Sequence, residues 1–197
     1  IAAPMSDRPD VLVGRDGKLV AVRAMDGRLE AMAAPQAKFE LSRWLEHDGD
    51  SRNPADVVTG KGALRCDSVG CTAKVRGNTV AISRHAASLA EDCAAADLLV
   101  MAAPAPAGCR QPAAVVDFLA ARKSGTHAIY VEGPRKLRIT TVADMRGTRP
   151  WAPPHPWSRR ERRGSFATTA DAAKPDALPR AAAFPRLRQA GLLSFPS

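Results

Sequence analysis

The sequence predicts a mixed α/β (α+β) domain over residues 1–145 and a basic tail over residues 146–197, and three observations carry that expectation. Two Asp-Gly pairs, Asp16-Gly17 and Asp26-Gly27, stand ten residues apart between short apolar runs. Separate stretches further on carry apolar residues at helical spacing or in strand-like runs. After Arg146 the apolar pattern stops.

Val11-Leu12-Val13, Leu19-Val20-Ala21-Val22-Arg23 and Leu29-Glu30-Ala31-Met32 flank the two Asp-Gly turns, and together they read as a three-stranded antiparallel meander. From Phe39 to His47 the apolar residues Phe39, Leu41, Trp44 and Leu45 fall at near-helical spacing, and Asp48-Gly49-Asp50 ends the run. Pro54 to Gly62 reads as a loop. Leu64–Val75 and Thr79–Ser83 form a predicted hairpin across Arg76-Gly77-Asn78, a turn that tolerates positive φ. Ala86–Ala95 reads as a helix opened by a Ser88-x-x-Glu91 capping box. Ala96–Met101 is a short buried strand, and Ala102–Pro112 a Pro/Gly loop. Ala113–Leu119 fits strand or helix. Thr126–Val131 and Leu137–Val142 are strands joined at Glu132-Gly133-Pro134.

A chain of 197 residues can bury one real core. Aromatic residues are only 5% of it and alanine buries little area, so the core leans on Val, Leu and Ile between Val11 and Val142. The net charge of +9 is unevenly spread. Residues 1–145 carry 19 Lys+Arg against 17 Asp+Glu, whereas residues 146–197 carry 10 against 3. The domain is near neutral, and the basicity belongs to the Pro/Arg-rich tail, which reads as extended or disordered. Such a tail attracts phosphate or anionic lipid, or is simply solvated. No apolar run approaches the ~20 residues needed to cross a bilayer; the nearest, Ala94–Ala107, is interrupted by Asp97, Pro104 and Pro106. The start at Ile1, without Met or a basic leader, is expected of a piece of a longer chain.

Cys66, Cys71, Cys93 and Cys109 are spaced C-x4-C and then by 21 and 15 residues, unlike the paired C-x2-C of a zinc ribbon. Two disulfides in an oxidising compartment, structural zinc and buried free thiols all remain open from spacing alone. A catalytic metal needs convergent His and carboxylate ligands, yet none of His47, His85, His127 and His155 lies within five residues of another. His47-Asp48-Gly49-Asp50 reads as the polar end of a helix, because an oxygen-only cation site needs more ligands than this turn supplies. Ser83-Arg84-His85 is not a G-x-S-x-G elbow. Gly60-Lys61-Gly62 lacks the G-x-x-x-x-G-K phosphate-loop spacing. No catalytic residue, metal ligand or cofactor is therefore expected.

Several short motifs nevertheless recur in a definite order. They are Val11-Leu12-Val13 with Gly17-Lys18-Leu19-Val20-Ala21-Val22-Arg23; Trp44-Leu45-x-x-Asp48-Gly49-Asp50; Cys66-Asp67-x-x-Gly70-Cys71; Ala90-Glu91-Asp92-Cys93-x-x-Ala96-Asp97; Cys109; and Arg146-Gly147-x-Arg149-Pro150-Trp151. Taken together, over about 140 of the 197 residues, they resemble the C-terminal soluble region of alphaproteobacterial ComEC-family competence proteins. Members of that family are multi-spanning inner-membrane proteins associated with carrying single-stranded DNA inward during transformation. Many carry a metallo-β-lactamase-like domain after the channel. The late motifs of that domain are a strand ending in Leu-Thr-Gly-Asp, an acidic helix, and a strand entering a His-His-Gly-Ser loop.

Thr79–His85 stands where the first motif would fall and Ala96–Pro104 where the second would. Arg84 or His85 then occupies the Asp position, Ala102-Ala103 occupy the His-His pair, and the early H-x-D-x-D-H motif is missing. The resemblance thus implies a degenerate metallo-β-lactamase-like sandwich without the family's ligands, because a metal-activated hydroxide needs about three of them and a nearby Arg opposes a dication. It implies a non-catalytic part of a DNA-uptake channel in the inner membrane, this segment on the periplasmic side. Its partners would be the channel portion of the same protein, other competence proteins and single-stranded DNA. Nearness in sequence makes Cys66–Cys71 and Cys93–Cys109 the expected pairing among three. Arg146, Arg149, Arg159, Arg160, Arg162 and Arg163, interleaved with Trp151 and Trp157, are the expected DNA contacts, with Arg on phosphate and Trp stacking on bases. The rival expectation is a metal-dependent hydrolase using His85, Asp97 and His127.

Overall fold

Val11–Val13 (β1), Leu19–Arg23 (β2) and Leu29–Ala33 (β3) form the antiparallel meander that the two Asp-Gly turns predict. In the computed structural model, which describes residues 7–58 and 62–147, this meander makes three of the five strands of the first sheet. His127–Gly133 (β9) pairs antiparallel with the free side of β1, and Lys136–Thr141 (β10) pairs with β9, giving the order β10-β9-β1-β2-β3. The second sheet runs β4-β5-β6-β7-β8, from Leu64–Cys66, Gly70–Val75, Asn78–Ser83, Leu98–Met101 and Ala114–Val116. Its first three strands are antiparallel, and β6, β7 and β8 are parallel. The described residues form a mixed α+β structure with two five-stranded sheets and a few short helices.

Alternation along the strands decides how the layers meet. Val11, Val13, Val20 and Val22 of one sheet share a single core with Ala73, Val80, Ile82, Leu98 and Val100 of the other. The intervening residues of the first sheet, Leu19, Ala21, Leu29 and Ala31, pack on Leu41 and Leu45 of Lys38–Asp48 (α1) and on Val57 of Pro54–Val57 (α2). On the far side of the second sheet, Ala81, Leu99 and Met101 meet Leu89 and Cys93 of Leu89–Ala95 (α3). Leu19–Val22 is buried at every position because each face of its sheet is covered. Phe118–Ser124 (α4) and Val142–Arg146 (α5) complete the structure.

The α1 terminus shows why Asp48-Gly49-Asp50 is structural. Gly49 is left-handed at φ 73°, and its N–H and that of Asp50 reach back to carbonyls of the last helical turn. Asp48 pairs with Arg23 of β2 at 2.8 Å, both side chains almost buried, and Asp50 accepts from Arg52 at 2.9 Å. That hydrogen bond holds the Asp50 carboxyl below its ordinary range.

Three expectations need correction and a fourth needs deciding. Leu64–Val75 is two strands, because the Asp67 carboxylate accepts the N–H groups of Val69 and Gly70 and turns the chain back on itself. The Ser88-x-x-Glu91 capping box does not form: Ser88 is already helical in its backbone, its Oγ bonds Ser83 Oγ at 2.9 Å, and the helix starts at Leu89. Ala113–Leu119, which the sequence leaves open between strand and helix, is strand and then helix, divided by Asp117, whose side chain caps α4 by accepting from Ala120 N–H. β9 runs to Gly133, so the turn sits at Pro134-Arg135, where the Arg135 N–H donates to Asn78 Oδ1 at 2.7 Å. The predicted loop from Pro54 opens with the short α2, and its residues 59–61 lie outside the described residues, as does the expected tail from 148 onward.

Candidate functional site

Because β6 and β7 are parallel and Ser83 pairs with Met101, the segments that leave these two strands emerge side by side at one edge of the second sheet. Arg84-His85 follows β6, and Ala102-Ala103 follows β7; all four residues are exposed. The N–H groups of Arg84 and His85 both donate to the Val69 carbonyl, at 2.9 and 3.1 Å. The Ser83 and Ser88 hydroxyls bond each other at 2.9 Å, and the His85 carbonyl accepts from the one that is not donating to its neighbour, so the loop backbone is fixed while the Arg84 side chain stays exposed.

The β1–β2 turn closes over this edge from the other sheet. Gly17 has φ 70°, and a Cβ there would stand 2.9 Å from the Met101 carbonyl oxygen, so the position needs glycine for its conformation and for its space. Between the turn, β3 and the ends of β6 and β7 lies a cavity of about 470 Å³. Its walls include Met32, Pro35, Val58 and Ile82; among the described residues Lys18 and Arg84 are the charged ones in its lining, and none with a carboxylate lines it. Cys66 forms part of the wall. Lys18 and Ala34 also border a second, more polar groove on the outer side of the turn, beside Arg15, Asp16 and Glu40. Glu40 is half-buried against Gly14 and accepts from Thr126 Oγ1 at 3.2 Å. Burial pushes its carboxyl above the ordinary value, with the Thr126 hydrogen bond opposing.

The residues named for a hydrolytic site are not brought together. His85 lies beyond the C-terminal end of β6. Asp97 stands at the start of β7, at the opposite edge, where its carboxylate accepts Thr79 N–H at 2.8 Å and pairs with Arg135 at 3.0 Å. His127 is buried in the first sheet, 5% exposed, with Nδ1 2.8 Å from the Gly125 carbonyl, and burial pushes its pKa down. Among the described residues no three His, Cys, Asp or Glu side chains gather to hold a metal ion. Nor is any helix among them long and apolar enough to cross a membrane.

All four cysteines are joined as expected. Cys66 and Cys71 face each other directly across β4 and β5, and Cys93–Cys109 ties α3 to the long connection between β7 and β8. Of the residues expected to contact DNA, Arg146 ends α5 on the surface. Arg149, Trp151, Trp157, Arg159, Arg160, Arg162 and Arg163 lie outside the described residues. Sequence reasoning missed Lys18 as a cavity residue and Glu40 as a perturbed carboxyl. Asp16-Gly17 announces a turn, but nothing local says that the turn covers the end of β7.

No protein-family model, no curated protein and no solved structure matches this chain.

Proposed function

We propose that this chain is a non-catalytic domain of a ComEC-type inner-membrane DNA-uptake channel acting in transformation, on the periplasmic side, with a degenerate metallo-β-lactamase-like sandwich. The observation that carries the proposal is the parallel register of Ser83 with Met101. It makes neighbours of Arg84-His85 and Ala102-Ala103, the positions at which the resembled family would hold its metal; of these four only His85 can donate to a dication, one ligand where about three are needed. The layering supports the same reading, with α1 and α2 outside one sheet and α3 outside the other. Two disulfides are at home in an oxidising compartment. The Arg- and Trp-bearing segment from Arg146 onward supplies the groups that grip single-stranded DNA without sequence preference.

The test uses the full purified chain in three measurements: metal content, phosphodiester hydrolysis, and retention of single-stranded DNA against salt. The expected result is no stoichiometric metal, no turnover, and binding that weakens steeply as salt rises. Stoichiometric zinc with hydrolysis would overturn the non-catalytic assignment in favour of a metal-dependent hydrolase. No affinity for single-stranded DNA at low ionic strength would remove DNA from the partners.

A further inference from the structure

We propose that the cavity at the β6–β7 edge is a binding site for an amphipathic monoanion, an alkyl chain ending in a carboxylate, with the chain inside and the head between Lys18 and Arg84. The proposal stands on the cavity alone and does not depend on the channel assignment. About 470 Å³ lies within the range of small-molecule sites, and such sites are mostly apolar with a few convergent polar groups. Here the walls are Met32, Pro35, Val58 and Ile82, while the cations Lys18 and Arg84 stand on different elements, the β1–β2 turn and the end of β6.

Charge complementarity selects the ligand. Among the described residues no carboxylate lines the cavity, so neither cation has an acidic partner there, and an incoming anion is the complement that both call for. The nearby acids are engaged elsewhere. Glu30, on β3, accepts the N–H of Leu64 at 3.0 Å, and Asp16, on the same turn, accepts the N–H of Lys18 at 3.0 Å and borders the outer groove. A neutral apolar ligand would leave the two cations unanswered. A polyanion would find only two charges and an apolar wall.

The experiment follows fluorescence of 8-anilinonaphthalene-1-sulfonate, an apolar ring system with one sulfonate, bound to the full oxidised chain, and then its displacement by octanoate, decanoate and dodecanoate. One site is expected. Each added methylene strengthens displacement by up to about fourfold, the gain for burying that group, until the cavity is full. Dodecanol should compete more weakly than dodecanoate. Lys18→Gln and Arg84→Gln should each weaken dodecanoate by about threefold to fivefold, the scale of a partly exposed charge contact, and leave dodecanol unchanged. Ala102→Trp, at an exposed position on the rim, should fill the cavity and abolish binding while the protein still unfolds in a single transition. Absent dye binding, a flat chain-length series, or dye binding unaltered by Ala102→Trp would each overturn the proposal. So would thymidine monophosphate competing better than dodecanoate, which would make the site one for nucleotides.

Discussion

Replacing Gly17 by alanine tests how the β1–β2 turn is held against the second sheet. Two costs add at this position. Any L residue at φ 70° occupies the left-handed region, which costs about 1 kcal/mol. The new Cβ would also lie 2.9 Å from the Met101 carbonyl oxygen and 3.3 Å from Ala102 Cα, closer than backbone atoms accept. Overpacking of that kind costs typically 1–3 kcal/mol, so Gly17→Ala should lose about 2–4 kcal/mol in all. Gly27, in the neighbouring Asp-Gly turn at φ 83°, has nothing within 4 Å of its would-be Cβ. Gly27→Ala should therefore cost the conformational part alone, about 1 kcal/mol. Urea denaturation of both variants at neutral pH, with unchanged slopes, reads the difference directly. Equal losses would refute the contact between this turn and the end of β7, and with it the wall that the turn gives the cavity.

Three further outcomes follow from the same structure. Asp48→Ala should cost about 3 kcal/mol in chemical denaturation, because it strands the charge of Arg23, whose guanidinium is nearly buried and among the described residues otherwise bonds the neutral carbonyls of Pro9 and Gly27. The folded pKa of His127 lies below 6.5, so the native state binds fewer protons than the unfolded chain. Stability should be fully present above pH 6.5 and fall as pH drops through the window beneath it; His127→Gln should flatten that slope in melting temperatures recorded against pH. Opening Cys93–Cys109, which closes 16 residues, by a double Ser substitution should cost about 3 kcal/mol, against about 2 kcal/mol for the 5 residues closed by Cys66–Cys71, as read by melting of the oxidised proteins.

Much of the first sheet was legible from local pattern. The Asp-Gly turns constrain their neighbours within a few residues, so β1, β2 and β3 could be drawn without tertiary knowledge. The α1 helix and its Gly49 terminus were equally local, since capping is decided by the backbone of one turn. The disulfide pairing followed nearness in the chain. Ser88 shows the limit of such reasoning: its spacing to Glu91 spells a capping box, yet its hydroxyl found Ser83, which only the packing of α3 against β6 brings near.

Composition and spacing by themselves determined that this chain carries strand and helix patterns with a basic remainder, and that its four His stand far apart in the sequence. Tertiary structure alone decided which loops are neighbours. A strand's partner lies tens of residues away, and whether it pairs parallel or antiparallel decides which of its two ends comes near. Parallel pairing of β6 and β7 brings Arg84 beside Ala102 and leaves Asp97 at the opposite edge with Arg135. The folding of one sheet onto the other then brings Lys18, from a turn sixty-odd residues earlier, to the same cavity. No periodicity in the sequence records those two choices, because both are settled by long-range burial.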